Sequence, residues 1–424
     1  MTLPLILTFF VLVMLGVPFW CAMIASAVFS LLAFSDVPLI VILQNLFSSL
    51  DSYSLLAVPF FILAGEVMSA SRITNRLVDF SATLVGHIRG GLGMVSIVSS
   101  MIFAGISGSA IADTSAIGSV LLPSMRKKGY PMGLATTLQA CAGAIGPIIP
   151  PSIPMIIYGS ITGFSISKLF LGGFIPGVLI GFGLMLVTYL YALKYPAMAG
   201  ERRASWSDVA QSAWSAKFAL LMPIIILGGI ISGLFTATEA GVVAVLYGLF
   251  VGLFVERSLR WRDIPEIFER AAGATGMIML ILAAASIFGW ILAREQAPVH
   301  LGQFFAQFQS PIVCMLVVIG AVLIIGCFIE VIAALIMLTP IIYQLSGQLG
   351  LDPLHFALVF IVAMIIGGVT PPVGGLLFVA CGIGKTSIDD TLPFIPAYVA
   401  VMVLVVLLMA FFPQIVLIVP RLFS

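Results

Sequence analysis

The groups able to do chemistry in this chain come in pairs. GPIIPPS at 146–152 and GGVTPPVGG at 367–375 each set adjacent prolines beside glycines inside an apolar run. Proline removes a backbone donor and clashes with the preceding turn, so it frees carbonyls that something must satisfy. Irregular backbone at membrane depth is tolerated only when it is buried in protein or lines a cavity. Carbonyls freed in this way coordinate Na⁺, and the helix N-termini beyond such breaks face anionic groups. The rival reading is that the prolines only kink packed helices; duplication with flanking glycines favours the site. In GISGSAIADTSAIG at 105–118, Ser107, Gly108 and Ser109 read as a tip. Glycine there permits close approach, and the hydroxyls are able to ligate an ion. A small-residue packing face competes with this reading, most strongly for Ala110, Ala112 and Ala116.

Asp113 and Glu330 stand at matching distances before Pro123 and Pro340. Acids inside a bilayer are costly and usually face a partner or a cavity. Binding sodium, carrying protons, and capping or anchoring a helix are all open to these two. Thr236 and Glu239 have capping-box spacing, which favours a structural role for Glu239. Glu66 near Arg72 and Glu295 beside Arg294 read as interfacial ion pairs. The five cysteines and three histidines are scattered without metal-ligand spacing. No Ser-His-Asp set, HExxH pattern or Gly-rich Lys-Ser/Thr phosphate loop occurs, so neither an enzyme nor an ATPase has positive support.

The elements that position these residues are membrane helices. Of 424 residues, 61% are hydrophobic and 8% charged, against about 25% charged in soluble domains. Apolar runs near or above the roughly 20 residues of a bilayer helix recur along the chain. Outer-membrane strands would be shorter and alternate with period two. The fold class is therefore an all-α polytopic membrane protein. The first run lacks a basic start and a small-residue cleavage site, which favours a retained span over a signal peptide.

The chain also reads as written twice. At an offset of about 220 residues the first proline motif falls on the second. Phe174-Ile175-Pro176 falls on Phe394-Ile395-Pro396, and Gly163-x-Ser165 on Gly384-x-Thr386; ILAGE ending at Glu66 matches ILARE ending at Glu295. Residues 1–200 form the first repeat, 201–215 a cytoplasmic linker and 216–424 the second repeat. The first half is expected to hold spans near 3–17, 19–35 and 52–70, an arm at 71–89, a re-entrant hairpin at 91–125, a broken helix at 131–160 and a span at 166–195. One tilted helix over 3–33 is a rival for the opening pair. The second half is expected to hold spans near 216–235, 237–256 and 273–294, an arm at 295–309, a hairpin at 311–340 centred on Gly326, a broken helix at 353–382 and a last span at 391–419. Five crossings per half make the second repeat inverted. Of the 18 Lys and Arg residues, this map leaves only Lys168, Arg294 and Arg421 on one face. The richer face is then cytoplasmic, and both termini are periplasmic.

These motifs carry a family resemblance from end to end. With GISGSAIADTSAIGSVLLPSM at 105–125, GPIIPPSIPMIIYG at 146–159, GLFTATEAG at 233–241 and GGVTPPVGGLLFV at 367–379, the chain resembles the large membrane subunit of tripartite ATP-independent periplasmic (TRAP) transporters. The resemblance implies a sodium-driven importer of organic anions (C4-dicarboxylates, sialic acids, related sugar or keto acids) in the bacterial inner membrane. It implies a separate small four-helix membrane subunit and a soluble periplasmic binding protein as partners, with no nucleic acid involved. One sodium site is implied near Ser107, Gly108, Ser109, Gly146, Pro150 and Ser152. The other is implied near Gly326, Gly368, Thr370, Pro371 and Gly374. Substrate would lie between them against the hairpins, near Ser107, Ser109, Asp113, Gly326 and Glu330. An elevator movement is implied as well. A proton-coupled or binding-protein-independent anion transporter, with Asp113 or Glu330 as carrier, is the alternative, and a passive channel is a weaker one.

Overall fold

A computed structural model describes residues 1–71, 73–297, 299–300, 303 and 310–423. Among these residues the secondary structure is helical throughout, with no strand. The first half runs α1 (Thr2–Met14), α2 (Phe19–Phe34), α3 (Ile40–Ser48), α4 (Ala57–Ala70), α5 (Ile73–Val85), α6 (Leu92–Ser107), α7 (Ala110–Lys127), α8 (Met132–Gly143), α9 (Ile153–Thr162) and α10 (Ile166–Ala192). The linker carries α11 (Trp206–Ser215), opened by a Ser205–Asp208 capping box. The second half runs α12 (Lys217–Ile231), α13 (Ala237–Phe250), α14 (Ile264–Arg294), α15 (Pro311–Phe328), α16 (Val331–Gln348), α17 (Pro353–Gly367), α18 (Gly375–Gly384), α19 (Ile395–Phe411) and α20 (Gln414–Leu422). Among the described residues, six helices are long and apolar enough to cross a membrane, or up to eight if each of two sharply bent pairs counts as one span.

Several boundaries differ from the sequence reading, each for a local reason. The opening run is two helices, because Gly16 takes φ +82° and Pro18 caps the second; a single helix over 3–33 is excluded. The span expected at 273–294 begins at Ile264 with proline in its first turn, where the missing N–H costs nothing. The second hairpin runs on to Gln348, beyond the expected end at residue 340. The last span bends by 66° between α19 and α20. The arm expected at 295–309 and the Arg72 partner of Glu66 lie largely or wholly outside the described residues.

Two helices form the buried centre. Every residue from Leu354 to Gly367 in α17 is buried, and so is every residue from Gly133 to Gly143 in α8. A helix apolar all round belongs inside. Around this centre each hairpin packs on the first part of its own broken helix and the second part of the other. Thus α7 packs on α8 and α18, while α16 packs on α17 and α9. A second group, with α4 against α13 and α14 against α2, α3 and α4, borders this one through α14 on α16 and α4 on α6.

Candidate functional site

The first hairpin turns where its sequence changes from apolar to hydroxyl-rich. Gly108 ends α6 in the left-handed region at φ +60°, and the Ser109 side chain caps α7 by accepting from the Ala112 amide at 3.3 Å. The tip rests on the proline break of its own half. The Ile153 amide donates to the Gly108 carbonyl at 3.2 Å, and a Cβ on Gly108 would come within 2.7 Å of the Pro151 oxygen. Ser152 caps α9 and donates to the Pro147 carbonyl. A Cβ at Gly146 would stand 3.0 Å from the carbonyl oxygens of both Ser109 and Gly143. Glycine thus leaves a small cradle edged by carbonyls.

The second half repeats the contact. The Val373 amide donates to the Cys327 carbonyl at 3.1 Å, so tip and break are joined as in the first half. Both partners lie about 220 residues after their counterparts, the offset that superposes the repeats. Gly374 takes φ +51°, and a Cβ there would lie 3.2 Å from the Val369 oxygen and 3.4 Å from the Thr370 oxygen. Thr370 donates its hydroxyl to the Ile366 carbonyl at 3.0 Å. Both breaks contain a cis Pro-Pro bond, at Pro150-Pro151 and Pro371-Pro372. Hard cations prefer such oxygen ligands, and the donors around both breaks fit that chemistry.

Gly326 departs from the expectation. It lies in the last turn of α15, and the tip itself is Ile329–Glu330. A Cβ on Gly326 would come 2.8 Å from the Gly367 Cα, so this glycine lets α15 and α17 cross backbone to backbone. Glu330 is the cap of α16, accepting from the Ala333 amide at 2.9 Å.

Between the two tips lies a cavity of about 320 Å³. Ser109, Gly326 and Glu330 line it together with Gly108, Gly368 and Gly374. Ser107 lines the adjoining cavity, and Asp113 lines neither. Asp113 is fully buried behind the first tip, where Oδ1 accepts from the Ser100 hydroxyl at 2.7 Å and Oδ2 has no protein partner. Its Ser100 bond joins α7 to α6 across the hairpin. Apart from Ser109 and Glu330, the cavity walls are glycine, proline and apolar side chains, including Phe19 from α2.

Sequence reasoning missed Phe19, Ser100 and the Arg270 partner of Glu66, whose ion pairing it expected with Arg72. Nothing in the sequence distinguishes Phe19 from its neighbours; Ser100 was findable only as a polar residue facing an acid across the hairpin. Glu66 pairs with Arg270 at 3.0 Å and Glu295 with the Met1 amine at 2.8 Å. Glu239 makes the capping box expected of it with Thr236.

Long apolar helices, two helical hairpins and two proline-broken helices around an apolar cavity mark an all-α polytopic membrane protein. The family model for the tripartite ATP-independent periplasmic transporter, DctM component, matches residues 6–415, and the chain belongs to that family as its large permease subunit. It is 39% identical over 374 residues to the 2,3-diketo-L-gulonate TRAP transporter large permease protein of Escherichia coli (strain K12), covering 88% of each chain. It is 39% identical over 381 residues to the sialic acid TRAP transporter large permease protein of Vibrio cholerae, covering 90% of this chain and 89% of that one. Among solved structures, the Alcanivorax borkumensis YdaH transporter matches with a TM-score of 0.52 at 13% identity, over 88% of this chain and 87% of that one; this likeness concerns the fold alone. The chain's work is ion-coupled transport, not catalysis.

Proposed function

We propose that the chain is the sodium-driven transport subunit of a three-part importer for small organic anions. The observation that carries this reading is the matched pair of tip-to-break hydrogen bonds on either side of one cavity. Sodium occupies two pockets. One is formed by Ser107, Gly108, Ser109, Gly146, Pro150 and Ser152, the other by the Gly326 region with Gly368, Thr370, Pro371 and Gly374. The anion lies between them, against Ser109, Gly326 and Glu330. Among the described residues no basic side chain lines this cavity, so the cargo's charge is offset by the co-bound ions and by helix N-termini. Each net positive charge moved inward gains about 2.3 kcal/mol per 100 mV, so carrying more sodium than cargo charge concentrates the anion.

The two repeats are inverted, and the crossed packing of each hairpin on the other half's broken helix supports this. Both hairpins with α8, α9, α17 and α18 form the moving body of an elevator. Helices α1–α4 and α12–α14 form its scaffold, extended by a small four-helix subunit. Cargo arrives from a soluble binding protein on the side of both termini. Relatives named for diketogulonate, sialic acid and C4-dicarboxylates share the organic-anion class.

The test is the melting temperature of the chain with its small subunit, in Na⁺ against K⁺ at equal ionic strength. Saturable stabilisation by Na⁺ alone, weakened by Ser107→Ala/Ser109→Ala and by Thr370→Ala, is expected. Identical curves would sink sodium coupling. One observation favours a second reading, proton coupling: the Asp113 carboxylate is buried with one oxygen unpartnered. Uptake driven by a pH gradient without Na⁺, and lost in Asp113→Asn, would establish it.

A further inference from the structure

The cavity between the tips continues into a second one of about 440 Å³. The two share Ser109, Ile111 and Glu330. At the far end of the second stand Glu66, near the end of α4, and Arg270, in the early turns of α14. Arg270 donates through Nε to Glu66 Oε2 at 3.0 Å and through Nη1 to Glu266 Oε1 at 2.7 Å. Among the described residues it is the one basic side chain lining either cavity.

We propose that Arg270 is an anion station in this vestibule, where a carboxylate leaving the tip cavity binds the guanidinium donors that Glu66 and Glu266 leave free. A guanidinium carries five N–H donors in a planar fork suited to two-point carboxylate binding. These two acids engage two of the five. The side chain is 47% exposed, so the remaining edge faces open space. The acids also set the strength of the station. Glu266 is largely exposed and Glu66 is 28% exposed; exposed ion pairs are weak and exchange readily. A cargo carboxylate on the free donors therefore also displaces Glu66 from the Nε edge when it binds at two points. With two carboxylates around one guanidinium, the local charge remains negative before the cargo arrives, which keeps its stay short. A guanidinium already paired and half exposed thus gives the anion a brief stop rather than a trap.

The direction of traffic rests on the transport reading, but the test needs no sodium. The purified two-subunit complex in nonionic detergent is held in K⁺ without Na⁺ and titrated with trifluoroacetate as carboxylate probe, followed by ¹⁹F line broadening. Wild type is expected to show weak, saturable binding, which Arg270→Gln weakens by about tenfold or more. Arg270→Lys retains part of it. Glu66→Gln, which frees the Nε edge, tightens it by roughly threefold. The Na⁺-dependent rise in melting temperature is followed on the same variants and is expected to be unchanged. Equal binding by wild type and Arg270→Gln, or a response that appears only with Na⁺, would overturn the station. Should Arg270→Gln fail to fold, Glu66→Gln decides: tightening supports the proposal and no change overturns it. Because the titration is run without Na⁺, its failure leaves the sodium reading standing, and failure of sodium coupling leaves the station testable.

Discussion

Gly108 bears two constraints that a pair of substitutions separates. It sits at φ +60°, and an added Cβ would meet the Pro151 oxygen at 2.7 Å. Gly163 shares the left-handed backbone, at φ +72°, but has nothing within 4 Å of the same position. Gly163→Ala is therefore expected to lower stability by about 1–2 kcal/mol through backbone strain alone, with the sodium-dependent rise in melting temperature intact. Gly108→Ala is expected to pay that cost and also lose the sodium-dependent rise, because the tip is pushed off the break. Equal sodium responses in the two variants would separate the tip from ion binding. Glu330 poses the parallel question of charge against cap. Glu330→Gln keeps an acceptor for the Ala333 amide, whereas Glu330→Ala removes the cap at about 1 kcal/mol. A melting temperature preserved in the first and lowered in the second marks a structural carboxylate; equal loss in both would point to its charge. The serine tip, the proline breaks and the two acids were all legible in the sequence, because residue type and duplication mark them. That Asp113 turns away from the cavity toward Ser100 was not, since sequence carries no sign of which way a helix faces.

The second hairpin shows how a correct element was read through the wrong residue. A glycine in the middle of an apolar stretch predicts a turn or a close packing contact, and the sequence alone does not choose between them. In α15 the choice fell to packing: Gly326 meets Gly367 across the helix crossing, and α15 continues to Phe328. A control lies in the same helix. A Cβ on Gly320 would meet nothing within 4 Å, so Gly320→Ala is expected to be neutral or to gain up to about 1 kcal/mol from reduced chain entropy. Gly326→Ala is expected to cost about 1–3 kcal/mol as the helices are forced apart. Thermal unfolding of the two variants in detergent checks both. A harmless Gly326→Ala would show that the crossing is looser than these distances require. Gly16 illustrates the converse case: followed by Pro18, it does break its run, at φ +82°.

At the scale of the whole molecule, the duplication foretold which elements are equivalent but not which of them move together. That information lies in contacts between the halves, which no single repeat contains. Arg126 at the foot of α7 donates to the Gly384 carbonyl at the end of α18, and the Thr136 and Thr386 hydroxyls lie 3.1 Å apart. These tie hairpin and broken helix of opposite halves into one body. Between that body and the outer group, Gly289 of α14 faces Pro340 of α16, a Cβ on the glycine standing 3.8 Å from the proline ring. Both contacts bring the paired side chains together, so each pair is a candidate for cross-linking, by oxidation or by a short bifunctional thiol reagent, in a background with the native cysteines replaced. An elevator makes opposite predictions for the two. Oxidising Thr136→Cys/Thr386→Cys joins parts that travel together and is expected to leave reconstituted uptake close to the reduced level. Oxidising Gly289→Cys/Pro340→Cys joins body to scaffold and is expected to abolish uptake, with recovery on reduction. If the first bond also stops uptake, the halves shift against each other during the cycle and a rocking bundle replaces the elevator. If the second leaves uptake intact, α14 travels with the hairpins and the scaffold must be redrawn without it.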